Sequence, residues 1–293
     1  MEPTSGVAAA GAEALGLLAT RAFVALTGAG LSTDSGIPDY RGPQAPARMP
    51  MTYGEFVSGP DARQRYWARS HLGWSRMRRA EPNAGHRALV RLERTGRLRL
   101  VITQNVDGLH EAAGSRQLCA LHGRIAEVVC LACRRRTTRA ALQRRLAEAN
   151  PGWEQRHAGV EVRPDGDVDL DDSSGFVVPG CEQCDGVLKP DVVFFGENVP
   201  KERVERCYTA VDALDPARDA LLVLGSSLTV MSGFRFVRRA VRAGLPVVVV
   251  NRGATRADDL PVVKVEHGTS EWLGLLADTV ASGTAGLVAS PLR

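Results

Sequence analysis

Two Cys-x2-Cys pairs most constrain what this chain can fold into: Cys130 with Cys133, and Cys181 with Cys184. Each pair presents two sulfurs from one tight turn, and two such pairs complete a closed tetrahedral shell for Zn(II). A closed shell leaves no open position for chemistry, so we predict one structural zinc ion per chain. Four unrelated buried thiols are the alternative, but two matched spacings among only six cysteines favour the metal.

Length, composition and charge bound the class of protein. A chain of 293 residues with 44% hydrophobic residues exceeds one ordinary domain of roughly 100 to 200 residues, which predicts two domains. The net charge of +4 is slight, and the best basic runs, at Arg76 to Arg79 and Arg134 to Arg136, are short. Because nucleic-acid binding needs a concentrated basic face, no specific nucleic-acid partner is expected.

The N-terminal segment and the cysteines indicate a compartment. No stretch approaches the roughly 20 apolar residues of a membrane span, and the first basic residue is Arg21, unlike in a secretory signal or transit peptide. Paired cysteines in such a chain favour a metal in a reducing compartment over disulfides. We therefore expect a cytoplasmic, bacterial-type enzyme without membrane association. Cys119 and Cys207 have no partner at metal spacing and are predicted core residues.

Continuous apolar runs predict the main sheet. Four runs read as buried parallel strands: 22–26, 98–102, 220–224 and 247–250. Helical patterns lie between them at 86–92, 201–214 and 234–241. Strands that alternate with helices predict an α/β fold with a Rossmann-like, doubly wound parallel sheet.

Two segments interrupt this alternation and predict the domain organisation. Residues 43–80 have helical spacing and predict a helical insertion, whereas 125–187 carry the cysteines and predict a smaller zinc-binding module. The Rossmann-like nucleotide-binding domain is then discontinuous, comprising residues 14–42, 81–124 and 188–285. A cleft is expected between the two lobes.

A glycine turn follows the first predicted strand. Gly28-Ala29-Gly30 leads into Leu31–Ser35, whose hydroxyl and carboxylate groups are typical of a helix start, so the order strand, turn, helix predicts a phosphate cradle. Thr33 stands where a G-x-G-x-x-G motif would have its third glycine, so the turn alone is weak. The wider segment is a stronger indication of phosphate binding, because Ser32 and Thr33 can donate hydrogen bonds to a pyrophosphate and Arg41 can supply positive charge.

The segment from Gly28 to Arg41 resembles the first cofactor motif of the sirtuins. The resemblance continues in order through Thr103-Gln104-Asn105-Val106-Asp107, Leu121-His122-Gly123, both cysteine pairs, Pro190 to Glu197, Gly225-Ser226-Ser227 and Asn251. It covers nearly the whole catalytic core. It implies an NAD-dependent protein-lysine deacylase that transfers the acyl group to ADP-ribose and releases nicotinamide and O-acyl-ADP-ribose.

The resemblance implies catalytic roles for three residues, His122, Asn105 and Asp107. His122 would be the general base, since a neutral imidazole suits removal of a proton from a ribose hydroxyl near pH 7. Asn105 would orient a ribose or water, and Asp107 would hold the nicotinamide carboxamide. Capping of a strand-to-helix turn is the alternative for these two. The other histidines are predicted to be structural: His71, His86, His110, His157 and His267.

The resemblance also implies the NAD contacts. Without the resemblance, Gly225-Ser226-Ser227 and Asn251-Arg252-Gly253 would be ordinary strand-to-helix loops. The resemblance also implies a contact between Thr269 and adenine. The predicted NAD-binding residues are Gly28, Ala29, Gly30, Ser32, Thr33, Asp39, Tyr40, Arg41, Gln104, Asn105, Val106, Asp107, Gly225, Ser226, Ser227, Asn251, Arg252, Gly253 and Thr269.

Two segments, 192–197 and 228–233, match the stretches between which sirtuins clamp an extended peptide. Main-chain pairing of this kind sets reach rather than strict specificity. The predicted contacts there are Val193, Phe195, Gly196 and Glu197. The expected partners are acyl-lysine proteins or peptides, and no residue pattern specifies a protein target or an oligomeric state.

Tyr66 and Arg69 are candidate acyl-group contacts. Helical residues three apart share a face, and the pair resembles the Tyr-x-x-Arg of sirtuins that remove acidic acyl groups, where the arginine reads a carboxylate. A surface aromatic beside a helix neighbour is the alternative. The segments around Tyr40, 64–69 and 188–197 resemble class II sirtuins, whose activities include weak deacetylation, removal of lipoyl, biotinyl and branched dicarboxylic groups, and ADP-ribosylation.

Three other functions stay open from the residues. Protein mono-ADP-ribosyl transfer would use the same site, and no motif separates it from deacylation. A non-catalytic zinc module that binds DNA or protein is opposed by the complete set of Asn105, Asp107 and His122. A hydride-transferring dehydrogenase is suggested by the sheet alone.

Overall fold

The structure is a computed structural model that describes residues 4–39, 50–157, 170 and 172–288. Its strands are β1 (Ala22–Thr27), β2 (Leu98–Thr103), β3 (Leu118–Ala120), β4 (Gly123–Cys130), β5 (Arg136–Thr138), β6 (Leu188–Val192), β7 (Asp219–Leu224), β8 (Val247–Val250) and β9 (Val263–Val265). Its helices are α1 (Thr4–Thr20), α2 (Tyr53–Val57), α3 (Pro60–Met77), α4 (Ala84–Arg94), α5 (Leu109–Ala113), α6 (Arg139–Ala149), α7 (Trp153–Arg156), α8 (Lys201–Asp212), α9 (Met231–Arg242) and α10 (Thr269–Val288).

Six parallel strands form the larger sheet, in the order β3-β2-β1-β7-β8-β9. The four predicted strands are its centre, and each is almost wholly buried because helices cover both faces. From β1 the sheet continues through β2 to β3, and from β7 it continues in the opposite direction through β8 to β9. Ligands of doubly wound sheets bind at the carboxyl ends of the strands at such a switch point.

Helices cover the two faces of this sheet. On one face, α1, α4 and α10 contribute Leu18, Leu89 and Trp272 to a core cluster with β1 and β2. On the other, α8 and α9 contribute Cys207 and Phe236 to a second cluster. The predicted doubly wound α/β fold is confirmed.

An antiparallel sheet, ordered β5-β4-β6, builds the smaller lobe. Its core includes Val128 of β4 and Leu146 of α6, and it extends into Phe56 of α2 and Trp67 of α3. The segments predicted as a helical insertion and a zinc module therefore share one apolar core. β6 lies in this sheet, whereas the predicted boundaries placed 188–192 with the larger domain; the boundaries stay a prediction.

The helix predicted to start at Leu31–Ser35 is replaced by two 3-10 turns, Ala29–Leu31 and Thr33–Ser35. Gly36 ends the second turn with a left-handed φ of 78°, a conformation that glycine adopts at little cost. The cradle after β1 is consequently a compact loop. None of the helices within the described ranges is long and apolar enough to cross a membrane.

Candidate active site and zinc centre

A cleft of about 470 Å³ lies at the carboxyl ends of β1 and β7. The backbones of the two following turns touch there: the Gly30 amide donates to the Gly225 carbonyl over 2.9 Å. A Cβ on Gly225 would lie 2.5 Å from the Gly30 carbonyl carbon, and a Cβ on Gly28 would lie 2.7 Å from the Gly225 oxygen. Only glycine fits these positions, which leaves backbone exposed in a cradle that side chains would otherwise fill.

The structure brings most of the predicted NAD-binding residues together around this cleft. Those that line it are Gly28, Ala29, Gly30, Ser32, Asp39, Gln104, Asn105, Val106, Asp107, Gly225, Ser226, Ser227, Asn251, Arg252 and Gly253. Thr33 and Thr269 do not occur among the described lining residues, and each hydroxyl instead donates to the Gly30 carbonyl over 3.2 Å. Tyr40 and Arg41 lie outside the described residues.

Asn105 and Asp107, on the turn after β2, are joined by the buried Ser32 hydroxyl. Ser32 Oγ donates to Asp107 Oδ2 over 2.7 Å, and Asn105 Nδ2 lies 3.0 Å from both Ser32 Oγ and the Gly28 carbonyl oxygen. Burial raises the pKa of the Asp107 carboxyl above its ordinary value, partly offset by the Ser32 hydroxyl and the Leu109 amide that donate to it. These contacts hold both side chains against the glycine loop.

His122 follows β3 and lines the same cleft. Its Nδ1 lies 3.0 Å from the Gln104 carbonyl oxygen, and its Nε2 lies 2.7 Å from the Ser232 hydroxyl. Burial lowers the pKa of His122 to about 4, with smaller contributions from Arg203 and Arg235 in the same direction, while the Gln104 carbonyl opposes the shift. The imidazole is therefore neutral near pH 7, as a general base requires.

The predicted peptide-binding segment 192–197 forms one wall of the cleft. The His122 carbonyl accepts from the Val193 amide over 2.8 Å, and the Phe195 carbonyl accepts from the Tyr53 amide over 2.9 Å. Glu197 Oε2 accepts from the Phe194 amide and from the Lys189 ammonium, each over 2.9 Å. Val193, Phe195, Gly196 and Glu197 all line the cleft.

Tyr66 and Arg69 are placed differently from each other. Tyr66 is buried, lines the cleft, and packs against Phe194 with 5.2 Å between ring centroids. Arg69 Nη2 donates to the Leu170 carbonyl over 3.1 Å, and Arg69 is not among the described residues that line the cleft.

Four thiols form a separate centre in the smaller lobe. All four sulfurs lie within 4.8 Å of one another: those of Cys130, Cys133, Cys181 and Cys184. The distance is 3.6 Å between Cys130 and Cys184 and 3.8 Å between Cys133 and Cys181. Tetrahedral Zn(II) with sulfurs at about 2.3 Å separates them by about 3.8 Å, so the set fits zinc.

Matching turns hold these thiols. The residue after each pair, Arg134 and Asp185, has a left-handed φ of 62° and 55°. Each of their amides donates to the carbonyl of the first cysteine in its pair, over 3.0 Å and 2.8 Å. A Cβ on Gly186 would lie 2.9 Å from Cys130 Sγ, so a glycine lets the backbone pass beside the sulfurs. The backbone geometry of these turns therefore brings the four thiols together.

A family model described as "Sir2 family" matches residues 28–232, which include the glycine loop, His122 and all four thiols. The chain belongs to the Sir2 family. It is similar to NAD-dependent protein deacetylase 1 of Mycobacterium avium, with 52% identity over 92% of this chain and 95% of the relative. It is also similar to NAD-dependent protein deacetylase 1 of Streptomyces coelicolor, with 55% identity over 86% of this chain and 84% of the relative.

Solved structures agree with this assignment. One described as "Sir2-p53 peptide-NAD+" has a TM-score of 0.69 and 29% sequence identity, and the match covers 93% of this chain and 98% of that one. The predicted sirtuin membership is confirmed, while the resemblance to the class II branch stays a prediction.

Two residues of this Sir2 protein escaped the sequence analysis as individual site residues. Ser232 contacts the His122 ring, and Lys189 is 2% exposed and bonded to Glu197. Burial lowers the pKa of the Lys189 ammonium, although Glu197 opposes that shift. Lys189 could have been noticed because it is one of only three lysines in the chain and lies in the segment 188–197 that resembles class II sirtuins. A serine near a helix start carries no such signal.

Proposed function

We propose that this Sir2 protein uses His122 as the general base in NAD-dependent removal of acyl groups from protein lysines. The single observation that carries the proposal is the position of a neutral imidazole on the wall shared by the glycine cradle and the predicted peptide-binding segment. The protein is an NAD-dependent protein deacylase. Its relatives named NAD-dependent protein deacetylases favour this activity over mono-ADP-ribosyl transfer.

The residues of the cleft fit NAD. The glycine cradle exposes the backbone amides that suit a pyrophosphate, and the Ser226, Ser227 and Asn251 side of the cleft offers polar groups to a ribose and an adenine. Bound NAD supplies the bond between nicotinamide and ribose that is broken. Asp107 would hold the nicotinamide carboxamide and Asn105 would orient the ribose or a water.

His122 would take the proton of a ribose hydroxyl on Nε2, the nitrogen that its Gln104 contact leaves unprotonated. The segments 192–197 and 228–233 would bind the extended main chain of an acyl-lysine peptide between them. The zinc would hold the smaller lobe together, because a shell of four thiolates has no open position. Thiolate ligands of this kind persist in a reducing compartment, which supports a cytoplasmic location.

Tyr66 and Arg69 are the residues that would decide which acyl group is preferred. Tyr66 lines the cleft, and its contact with Phe194 gives that part of the cleft an apolar wall against which an acyl group could pack. Arg69 would reach an acidic acyl group only by leaving the Leu170 carbonyl. If Arg69 reads a carboxylate, Arg69→Ala lowers kcat/KM for succinyl-lysine peptides and spares acetyl-lysine peptides.

The decisive experiment combines purified, zinc-loaded protein with NAD and an acetyl-lysine peptide, and measures nicotinamide and O-acetyl-ADP-ribose by mass spectrometry. His122→Ala should lower product formation by about 10² to 10⁴ fold. His267→Ala, a histidine outside the cleft, is the matched control and should behave like the unaltered protein. ADP-ribose found on protein rather than on the acetyl group would contradict the proposal.

A further inference from the structure

The Ser232 hydroxyl is hydrogen-bonded to Nε2 of His122, the nitrogen that would take the proton. A carbonyl oxygen can only accept, so the Gln104 carbonyl at 3.0 Å fixes the proton of the neutral ring on Nδ1. Nε2 then carries the lone pair, and the Ser232 hydroxyl, 2.7 Å away, donates to it. The ring is held at both nitrogens, by a backbone group on one side and by a side chain 110 residues away in sequence on the other.

The fold places Ser232 there by a close contact between α9 and the turn after β2. Ser232 is the second residue of α9, and the next residue, Gly233, has no side chain where the Gln104 amide lies. A Cβ on Gly233 would be 2.4 Å from Gln104 Oε1, so glycine lets the helix approach without displacing the Gln104 side chain. Phe236, Val237 and Ala240 anchor the rest of α9 in the core. Ser232 is 9% exposed and lines the cleft.

We propose that Ser232 is a positioning residue for the general base: its hydroxyl holds the His122 ring with Nε2 at the cleft and remains its partner in both protonation states. Before Nε2 takes the proton of a ribose hydroxyl, the serine O–H rotates away and frees the single lone pair of Nε2; after the transfer, the new Nε2–H can donate to the serine oxygen. One proton moves from the ribose oxygen to Nε2, and Ser232 neither gains nor loses one. This inference rests on the proposed role of His122.

Ser232→Ala removes the hydroxyl without weakening the helix, because alanine has the higher helix propensity. Ser232→Thr restores a hydroxyl at the same position. Ser282→Ala is a matched control, since this serine lies on α10 with its hydroxyl on the Asp278 carbonyl and outside the cleft.

The first readout needs no substrate. In the ¹⁵N spectrum of the His122 ring at pH 7, Ser232→Ala should move the Nε2 resonance downfield because this nitrogen loses its donor, while Nδ1 stays protonated. Ser232→Thr and Ser282→Ala should keep the original Nε2 resonance. An unchanged Nε2 resonance in Ser232→Ala would overturn the inference.

The second readout compares two partial rates. Exchange of labelled nicotinamide into NAD needs the glycosidic bond to break, whereas O-acetyl-ADP-ribose formation also needs His122 to take a proton. Ser232→Ala should lower the ratio of product formation to exchange about tenfold, the effect of one lost hydrogen bond, and Ser232→Thr should restore it. An unchanged ratio would overturn the inference. No product from the unaltered protein would instead refute the proposed function.

Discussion

Acid should destabilise this protein through two buried histidines, His86 and His110. They are 0% and 1% exposed, with 4.9 Å between ring centroids. His110 Nε2 lies 3.0 Å from Thr27 Oγ1, and His86 Nδ1 lies 3.0 Å from Asn83 Oδ1. Among the described residues, His86 Nε2 and His110 Nδ1 have no hydrogen-bond partner. A proton on either ring would place a charge in the core beneath the glycine loop.

The size of the effect follows from the pKa values. Burial, with a smaller contribution from Arg87, lowers the pKa of His86 to about 4, and burial, with a smaller contribution from His86, lowers that of His110 to about 3. In the unfolded chain both pKa values return to about 6.5. The folded state stays uncharged while the unfolded state takes up protons, so the free energy of unfolding is highest above pH 6.5 and falls as the pH drops toward 4. At pH 5 each histidine costs about 2 kcal/mol.

Urea unfolding, followed by tryptophan fluorescence at pH 7, 6, 5.5 and 5 with excess zinc and constant ionic strength, measures this loss. Acid also releases zinc from thiolates. The informative quantity is therefore the slope of the free energy of unfolding against pH, compared between the unaltered protein and His110→Gln. The variant should be less steep by about 1.2 kcal/mol per pH unit near pH 5.5, because one titrating group is gone. Equal slopes, with equal zinc release measured in parallel, would refute the reasoning.

Three further predictions concern the glycine cradle, the smaller lobe and the metal. Gly225→Ala should weaken NAD binding and should destabilise the fold by more than the roughly 1–2 kcal/mol of left-handed strain, because the new Cβ would clash with the Gly30 loop. Gly244→Ala is the control, since Gly244 has φ 72° and open space around it. In calorimetry the control should show only the cost of the strain. Arg139→Ala should lower the free energy of unfolding, measured in urea, by roughly 3 kcal/mol. The reason is that the buried guanidinium lies 5.2 Å from the Trp67 ring and 5.0 Å from the Trp74 ring. Arg144 is exposed, and Arg144→Ala should lower the free energy of unfolding by less than about 0.5 kcal/mol. A tight chelator should lower the melting temperature and abolish deacylation until zinc is returned; an unchanged melting temperature would contradict a structural metal.

Local patterns in the sequence determined much of this protein. Apolar runs predicted the four central strands because a strand buried on both faces must be apolar throughout. The cysteine spacing predicted the zinc centre because metal geometry demands thiols from tight turns. The family resemblance marked His122 and the glycine loop, and the structure places both in the lining of the cleft at the carboxyl ends of the strands.

Only the tertiary structure decided which distant segments meet. It paired β4 with β6, joined α2 and α3 to the core of the zinc lobe, and set Gly225 against Gly30. It also separated Arg69 from the described cleft lining and brought Ser232 to His122. Spacing along a chain reports the period of one helix or strand. Contacts between elements depend instead on which surfaces bury each other, so the partner of the proposed base became visible only when α9 was packed against the turn after β2.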